Sequence, residues 1–389
     1  MKLFYFTLAL ATCAVMAQAQ SFDGSKIGNG LRFVDKDSTF STQINLRFQT
    51  QYLGLYDFDS EEYADQFLIR RYRLKFKGFL YDPRIEYKIE LGLSNRDQGS
   101  FYNENSGAAN IVLDAALKWH FRKNWHLWVG QTKLPGNRER VISSGALQFT
   151  ERSQLNNRYT LDRDIGIQLH HEHTIGQMVL REIASISMGE GRNVTISNSS
   201  NGYDYTVRGE ILPFGKFKKK GDYFGSDLMR EPKPKLSIGV TYDFNDNNNR
   251  ERGQLGRFLN TEVDFSTLFI DAMFKYNGFS MMSEYGIRTI LDGPHDGIDE
   301  TGTTRYYYTG EAFNISAGYL LKNNLEFAGR YVYNAPESES IGDKENIYTL
   351  NVSKFIAGHT LKIQASASYI DNYTADDALL FIAQMEIGF

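Results

Sequence analysis

The 389 residues carry 43 Lys and Arg against 47 Asp and Glu, a balance too near neutral to announce a nucleic-acid partner. There are 24 Tyr, 27 Phe, seven Pro and a single cysteine, and beyond the first residues no run approaches the roughly eighteen consecutive apolar positions of a membrane helix. A disulfide framework and a helical membrane protein are thereby excluded.

In chain order, Lys2, the apolar run Leu3 to Val15 and the small-residue triplet Ala17-Gln18-Ala19 read as a secretory signal peptide, residues 1–19, cut near Gln20. The cysteine, Cys13, lies inside it. "LATC" at 10–13 suggests a lipoprotein cleavage site, but Thr12 fits poorly and apolar sequence continues past Cys13. Residues 20–42 read as an N-terminal periplasmic segment. From 43 to 389, polar and apolar residues alternate with period 2 in about sixteen segments, the signature of strands with two unlike faces. Ile44, Leu46 and Phe48 alternate with Asn45 and Arg47; in "RRYRLKFKGFL" (70–80), Arg71, Arg73, Lys75 and Lys77 share one parity and Tyr72, Leu74 and Phe76 the other. Ile85 to Leu93, Ile111 to Trp119, Leu236 to Phe244 and Leu361 to Tyr369 repeat the pattern. The chain ends inside such a strand, at Phe389.

Short links at 81–84, 122–124, 174–176, 277–278, 322–324 and 356–359 alternate with longer polar stretches at 57–66, 95–109, 134–163, 189–201, 246–264, 291–306, 336–344 and 372–377. That alternation, with Phe79, Tyr81, Trp119, Phe121, Trp125, Tyr276, Phe279 and Tyr319 gathered near the short links, predicts one fold class. It is an all-β chain, a single transmembrane antiparallel β-barrel of about 16 strands with short periplasmic turns and longer extracellular loops, its first and last strands paired. A soluble sandwich would leave the alternation of link lengths unexplained. One link, 213–234, breaks the rule: it should be a periplasmic turn, yet it is long and contains "KFKKKGD".

The four cations of 70–80 must face inward, since on the lipid side each costs about 2 to 4 kcal/mol at mid-depth. Same-face neighbours stand roughly 7 Å apart, within a Debye length of about 8 Å, so their potentials merge into a strip attractive to anions. The turn at 81–84 should bring Glu90 opposite Lys75 and Lys88 near Lys77, which would make part of the ladder a structural ion-pair row.

"RRYRLKFKG" (70–78), "VGQTK" (129–133), "FTERS" (149–153), "LDRDIGIQL" (161–169) and the terminal Phe resemble the phosphate-selective porin O and P family, over essentially the whole mature chain. The resemblance implies a sixteen-stranded barrel in the bacterial outer membrane, usually a homotrimer, whose basic lumen admits phosphate-like anions passively. It implies anion-path roles for Arg71, Arg73, Lys133, Arg152 and Arg163. In porins of this size the third loop commonly folds into the lumen, so loop 134–163 is expected there, with Lys133, Arg138, Arg140, Arg152 and Arg163 as basic groups of a constriction and Glu139 and Glu151 as counter-charges.

No other chemistry is as well supported. His170, His171 and His173 suggest a metal cluster, but neighbouring strand residues point to opposite faces, so His170 and His171 cannot chelate together; a turn-proximal polar cluster is expected, with no metal and no cofactor. "DFNDNNN" (243–249) lacks the sixth-position glycine and the acidic twelfth ligand of a calcium loop, and reads as a solvated loop. No spacing proposes a nucleophile, base and orienting group, so an enzyme is not expected. The alternatives are a non-selective porin, or a barrel that mainly binds another envelope protein through 213–234.

Overall fold

The computed structural model describes residues 19–23, 28–94, 97, 111–194, 200–338 and 341–389. Residues 1–18 of the expected signal peptide lie outside them, as does the expected loop 95–109 save Asp97. Sixteen antiparallel strands form the wall: β1 (Phe40–Asp57), β2 (Tyr63–Leu80), β3 (Asp82–Gly92), β4 (Val112–Arg122), β5 (Trp125–Lys133), β6 (Arg163–Ile175), β7 (Met178–Ser187) and β8 (Asp204–Leu212). The second half comprises β9 (Lys235–Arg250), β10 (Phe258–Tyr276), β11 (Phe279–Asp292), β12 (Gly310–Leu320), β13 (Leu325–Pro336), β14 (Glu345–Ala357), β15 (Leu361–Asn372) and β16 (Ala378–Gly388). Each strand pairs with the next, and β16 pairs with β1 from Ala378↔Asp57 to Gly388↔Arg47. The sheet is a closed barrel with no free edge, which leaves every strand's backbone groups paired within the wall. Leu31–Asp35 adds a short strand against residues 41–44 of β1, so the N-terminal segment is tied to the wall.

The parity read from sequence sets the faces. In β8, Asp204, Thr206, Arg208 and Glu210 are buried inside, while Tyr205 and Val207 are exposed outside. Ile167, Val240, Ile270, Phe327, Leu350 and Phe381 continue the apolar outer band, and Tyr81, Trp119, Phe121, Tyr276 and Tyr319 are exposed near the short turns. Asn277 and Gly278 both take positive φ (48° and 90°), the two-residue turn whose twist suits a hairpin. Two links differ from expectation: β3 begins at Asp82, leaving Tyr81 alone in a left-handed turn (φ 65°), and 243–249 belongs to strand β9 instead of a loop.

In β2 the alternation is interrupted. Gln49 pairs with Arg71 and Thr50 with Ile69, so Arg70 is the extra residue of a β-bulge. The bulge turns Arg70 and Arg71 both toward the interior, where both reach Glu151, and turns Phe67 (75% exposed) and Ile69 (56% exposed) outward. Unbroken alternation would put those two apolar side chains inside with Arg71. Deleting Arg70 should therefore leave the faces intact and the barrel assembled, whereas deleting Leu68 should carry Phe67 inside and lower the assembled fraction, read as heat-modifiable migration of the membrane-extracted protein. Equal assembly of the two deletions would contradict this account of the bulge.

The interior is not open. Residues 134–162 cross it, with helix α1 (Arg138–Val141), a 3-10 turn at Ser144–Ala146 and helix α2 (Gln154–Tyr159), capped by the Ser153 side chain, which accepts from the Asn156 N–H. Leu134, Leu155, Tyr159 and Leu161 pack on Phe269 and Ala312 of the wall. Ile142, Ala146 and Leu147 pack on Met273 and Met282. Burying a side chain such as Phe269 contributes about 1.5 to 3 kcal/mol, so these apolar inward positions fasten the loop to β10 to β12. Polar ties extend across to the seam: Ser144 Oγ accepts from Arg47 (2.7 Å), Arg47 and Gln49 both reach Glu386, and Thr150 bonds Ser366 (2.8 Å).

The 213–234 segment, the link that breaks the length rule, also folds inward, which disfavours the alternative reading of it as a handle for an envelope partner. Its Asp222, Ser226, Asp227 and Glu231 are buried. The Lys275 ammonium donates to the carbonyls of Gly221, Phe224 and Ser226 (2.8, 2.8 and 2.6 Å), and Ser226 donates to Glu326 (2.7 Å). Gly225 N–H donates to Ala146 O at 2.6 Å, joining this segment to the crossing loop. A Cβ at Gly225 would sit 2.4 Å from the Gln148 nitrogen, so that closeness requires glycine.

Candidate functional site

The two inward segments cover the inner faces of β10 to β12, and the space that remains is a cavity of about 1770 Å³ lined by the crossing loop and by the other strands, β1 to β9 and β13 to β16. Its lining runs from Ile370 and Leu380 at the long-loop end to Glu172, Lys216, Lys219 and Lys220 at the short-turn end. Among the described residues, twenty Lys and Arg line it against eight Asp and Glu. The lumen thus holds an excess of positive charge in a chain whose net charge is −4.

Seven of the nine expected basic residues meet in this space: Arg71, Arg73, Lys75, Lys133, Arg140, Arg152 and Arg163. Lys77 and Arg138 do not line it. Lys77 is exposed near the short turn. Arg138 is fully buried between α1 and the wall, within 3.1 Å of both Glu210 and Asp271 and 2.9 Å from Ser237 Oγ, so its charge is consumed in anchoring the loop.

Arginines of the ladder are paired and some lysines are not. Arg71 binds Glu151 (2.8 Å), and Arg73 binds Glu90 (3.0 Å) and Asp97 (2.7 Å). Lys88 reaches Asp114 (3.1 Å) and Glu90 (3.5 Å), and Arg163 shares Asp114 (3.1 Å). The register pairs Lys75 with Glu90 and Lys77 with Lys88 as expected. Glu90 nevertheless turns to Arg73 and Lys88, and Lys75 makes no ion pair among the described residues. The expected Lys75–Glu90 ion pair therefore does not form; the paired cations of the ladder are Arg71, held by the crossing loop, and Arg73.

The crossing loop supplies the opposing side. Burial alone would raise Glu151, but Arg71 and Arg70 hold its carboxyl down to about 2. Glu139 accepts from the Ser153 backbone N–H (2.9 Å) and hydroxyl (2.6 Å) and lies 3.6 Å from Arg330. Arg152 donates to the carbonyls of Glu139 (3.0 Å) and Ile142 (2.8 Å), and the Lys133 ammonium donates to the same Ile142 carbonyl (3.1 Å). Two cations thus converge on one carbonyl, and neither has an ion-pair partner among the described residues. Burial, followed by the charge of Arg71, pushes Arg152 down to about 9; burial with Arg152 and Arg163 pushes Arg140 well below the guanidinium range, although Arg140 contacts Asp162. Guanidinium groups do not give up their proton in proteins.

Further lining cations were not among the expected anion-path residues. Lys88 and Lys118 share the inward parity and could have been found by extending the alternation to β3 and β4; Lys118 lies 3.3 Å over the Trp128 ring. Arg70 is inward because of the bulge, and Lys219 and Lys220 because 213–234 turns in. Both lysines adopt left-handed backbone (φ 50° and 57°), a conformation costly for residues with a Cβ.

The family model for phosphate-selective porin O and P matches residues 42–379. No curated protein matches the sequence. Among solved structures, the chain is similar to an anion-selective porin from Comamonas acidovorans (10% identity, 90% of this chain and 100% of that one, TM-score 0.57). It is also similar to the in-vitro folded trimer form of OmpT from Vibrio cholerae (12%, 90% and 100%, TM-score 0.53) and to the outer membrane channel DcaP of Acinetobacter baumannii (11%, 91% and 99%, TM-score 0.53). At such identities these likenesses speak to fold alone.

Proposed function

The chain belongs to the phosphate-selective porin O and P family, a β-barrel porin of the bacterial outer membrane and not an enzyme, and from that premise we propose that it conducts small anions, with phosphate and related oxyanions the class its lumen suits. The observation that carries this reading is the convergence of Lys133 and Arg152 on one carbonyl, inside a lining with twenty cationic and eight anionic residues. A tetrahedral oxyanion offers several acceptors to donors arriving from different directions, and guanidinium forks bind such groups in pairs. Arg71, Arg73, Arg140, Arg163 and Lys75 extend the attractive path on either side. A homotrimer is proposed with it: the apolar outer band suits both lipid and a second subunit, and the OmpT relative is described as a trimer.

The test is a planar-bilayer recording of the purified protein across a potassium chloride gradient. The reversal potential should show anion preference, and phosphate added at constant ionic strength should reduce the chloride current in a saturable way. A reversal potential near zero, with no effect of phosphate, would assign the chain to the non-selective porins instead.

A further inference from the structure

Outside the lumen, at the short-turn end of the β6–β7 hairpin, three side chains form a second cluster. His171 and Glu182 sit directly opposite each other in the register, and His173 follows two residues on, so the three share the outer face. His170 points the other way and stacks on Trp128 inside. The expectation that His170 and His171 cannot chelate together therefore holds, yet a ligand set exists that it did not consider.

We propose that His171, His173 and Glu182 form a Zn²⁺ site on the periplasmic rim of the barrel, with a fourth position left for water. Their ligand atoms all lie within 4.8 Å of one another. His171 Nδ1 is 3.0 Å and His173 Nδ1 3.4 Å from the two oxygens of the Glu182 carboxylate. Tetrahedral zinc at about 2.0 to 2.2 Å from nitrogen and oxygen places its ligands about 3.3 Å apart, so small rotations suffice. A second observation points the same way: His173 Nδ1 is buried and makes no hydrogen bond, although it faces the carboxylate. Coordination would give that nitrogen the partner that the carboxylate, 3.4 Å away, does not supply as a hydrogen bond.

The surroundings hold the ligands in place. Trp125 stacks on His171 at 4.1 Å between ring centroids, and the His171 and His173 rings lie 5.2 Å apart and nearly parallel. Two imidazoles and one carboxylate suit a borderline cation such as zinc better than calcium or magnesium, which prefer all-oxygen sites. With ligands on both strands, the ion ties β6 to β7 beside the 176–177 turn.

The full-length porin in detergent, stripped with a chelator, loaded with Zn²⁺ and desalted, should retain one zinc per chain, and excess Mg²⁺ should not displace it. His173→Ala and Glu182→Gln should each weaken binding at least about tenfold, while His170→Ala should bind like the parent. The His173 and Glu182 variants, which lie outside the lumen, should keep the parent's single-channel conductance, which verifies folding; if His173→Ala does not, His173→Gln takes its place. Failure of the parent to retain zinc, or equal retention by the His173 and Glu182 variants, overturns the proposal.

Discussion

Replacing Lys133 and Arg152 together with glutamate should reverse the sign of the channel's reversal potential. At roughly 4 Å, a unit charge in surroundings of effective dielectric constant about 20 acts on a passing ion with about 4 kcal/mol, and the substitution inverts two such charges at one place. Elsewhere in the lumen, Arg71, Arg73, Lys88 and Arg163 keep their carboxylates and so contribute weaker net fields. The anion-to-cation permeability ratio should fall at least tenfold, a change of about 1.4 kcal/mol, while the inhibition of chloride current by phosphate disappears. Reversing Arg71 and Arg73 should do less for selectivity and more harm to folding, since it sets new carboxylates against Glu151, Glu90 and Asp97. A double variant of Lys133 and Arg152 that inserts normally and keeps its anion preference would place selectivity elsewhere in the lumen.

Arg138→Ala should have the largest effect on the crossing loop. The guanidinium is fully buried between Glu210 and Asp271 and also reaches Ser237, so it joins α1 to three successive strands. Removing one partner from a buried ionic cluster costs about 3 to 5 kcal/mol, because the carboxylates left behind stay desolvated; here Arg208 retains both of them and moderates the loss. The wall's backbone pairing is untouched, so the loss should appear as a loosened loop: higher single-channel conductance, greater current noise and a lower urea midpoint, with strand content by circular dichroism unchanged. Conductance equal to the parent's would show that the apolar contacts to Phe269 and Met273 hold the loop without Arg138.

What could be read from the sequence was whatever depends on local alternation. Strand number, closure, the inward ladder from Arg71 to Lys75 and the Lys75–Glu90 register all follow from period 2 and link length. The inward third loop came from family resemblance, and its docking face escaped notice because Phe265, Phe269 and Met273 were inward apolar positions in a strand whose outer face is also partly apolar. The Arg70 bulge was hidden because a single extra residue leaves no compositional trace; the clue was that Phe67 and Ile69 would otherwise sit among cations. Arg138 and Arg152 look alike in sequence, being loop arginines within a basic stretch. Only the third dimension puts two acids in ion pairs with Arg138 and leaves Arg152 donating to backbone carbonyls. The 213–234 segment was legible as an anomaly of length, but not in direction, since its partners Lys275 and Glu326 lie far along the chain.

The ties between the crossing loop and the seam carry a consequence for the order of events during biogenesis. Ser144 of the loop bonds Arg47, on the first strand to be synthesised, which with Gln49 reaches Glu386 on the last. Once β16 has zipped onto β1 the wall encloses both inward segments, which can then enter only through the two ends of the barrel. The seam ties form only when the crossing loop, β1 and β16 are all in place, so loop packing and closure are coupled. A chain that cannot place Ser144 beside Arg47 should close more slowly, with Phe389 later in reaching its place opposite Leu46.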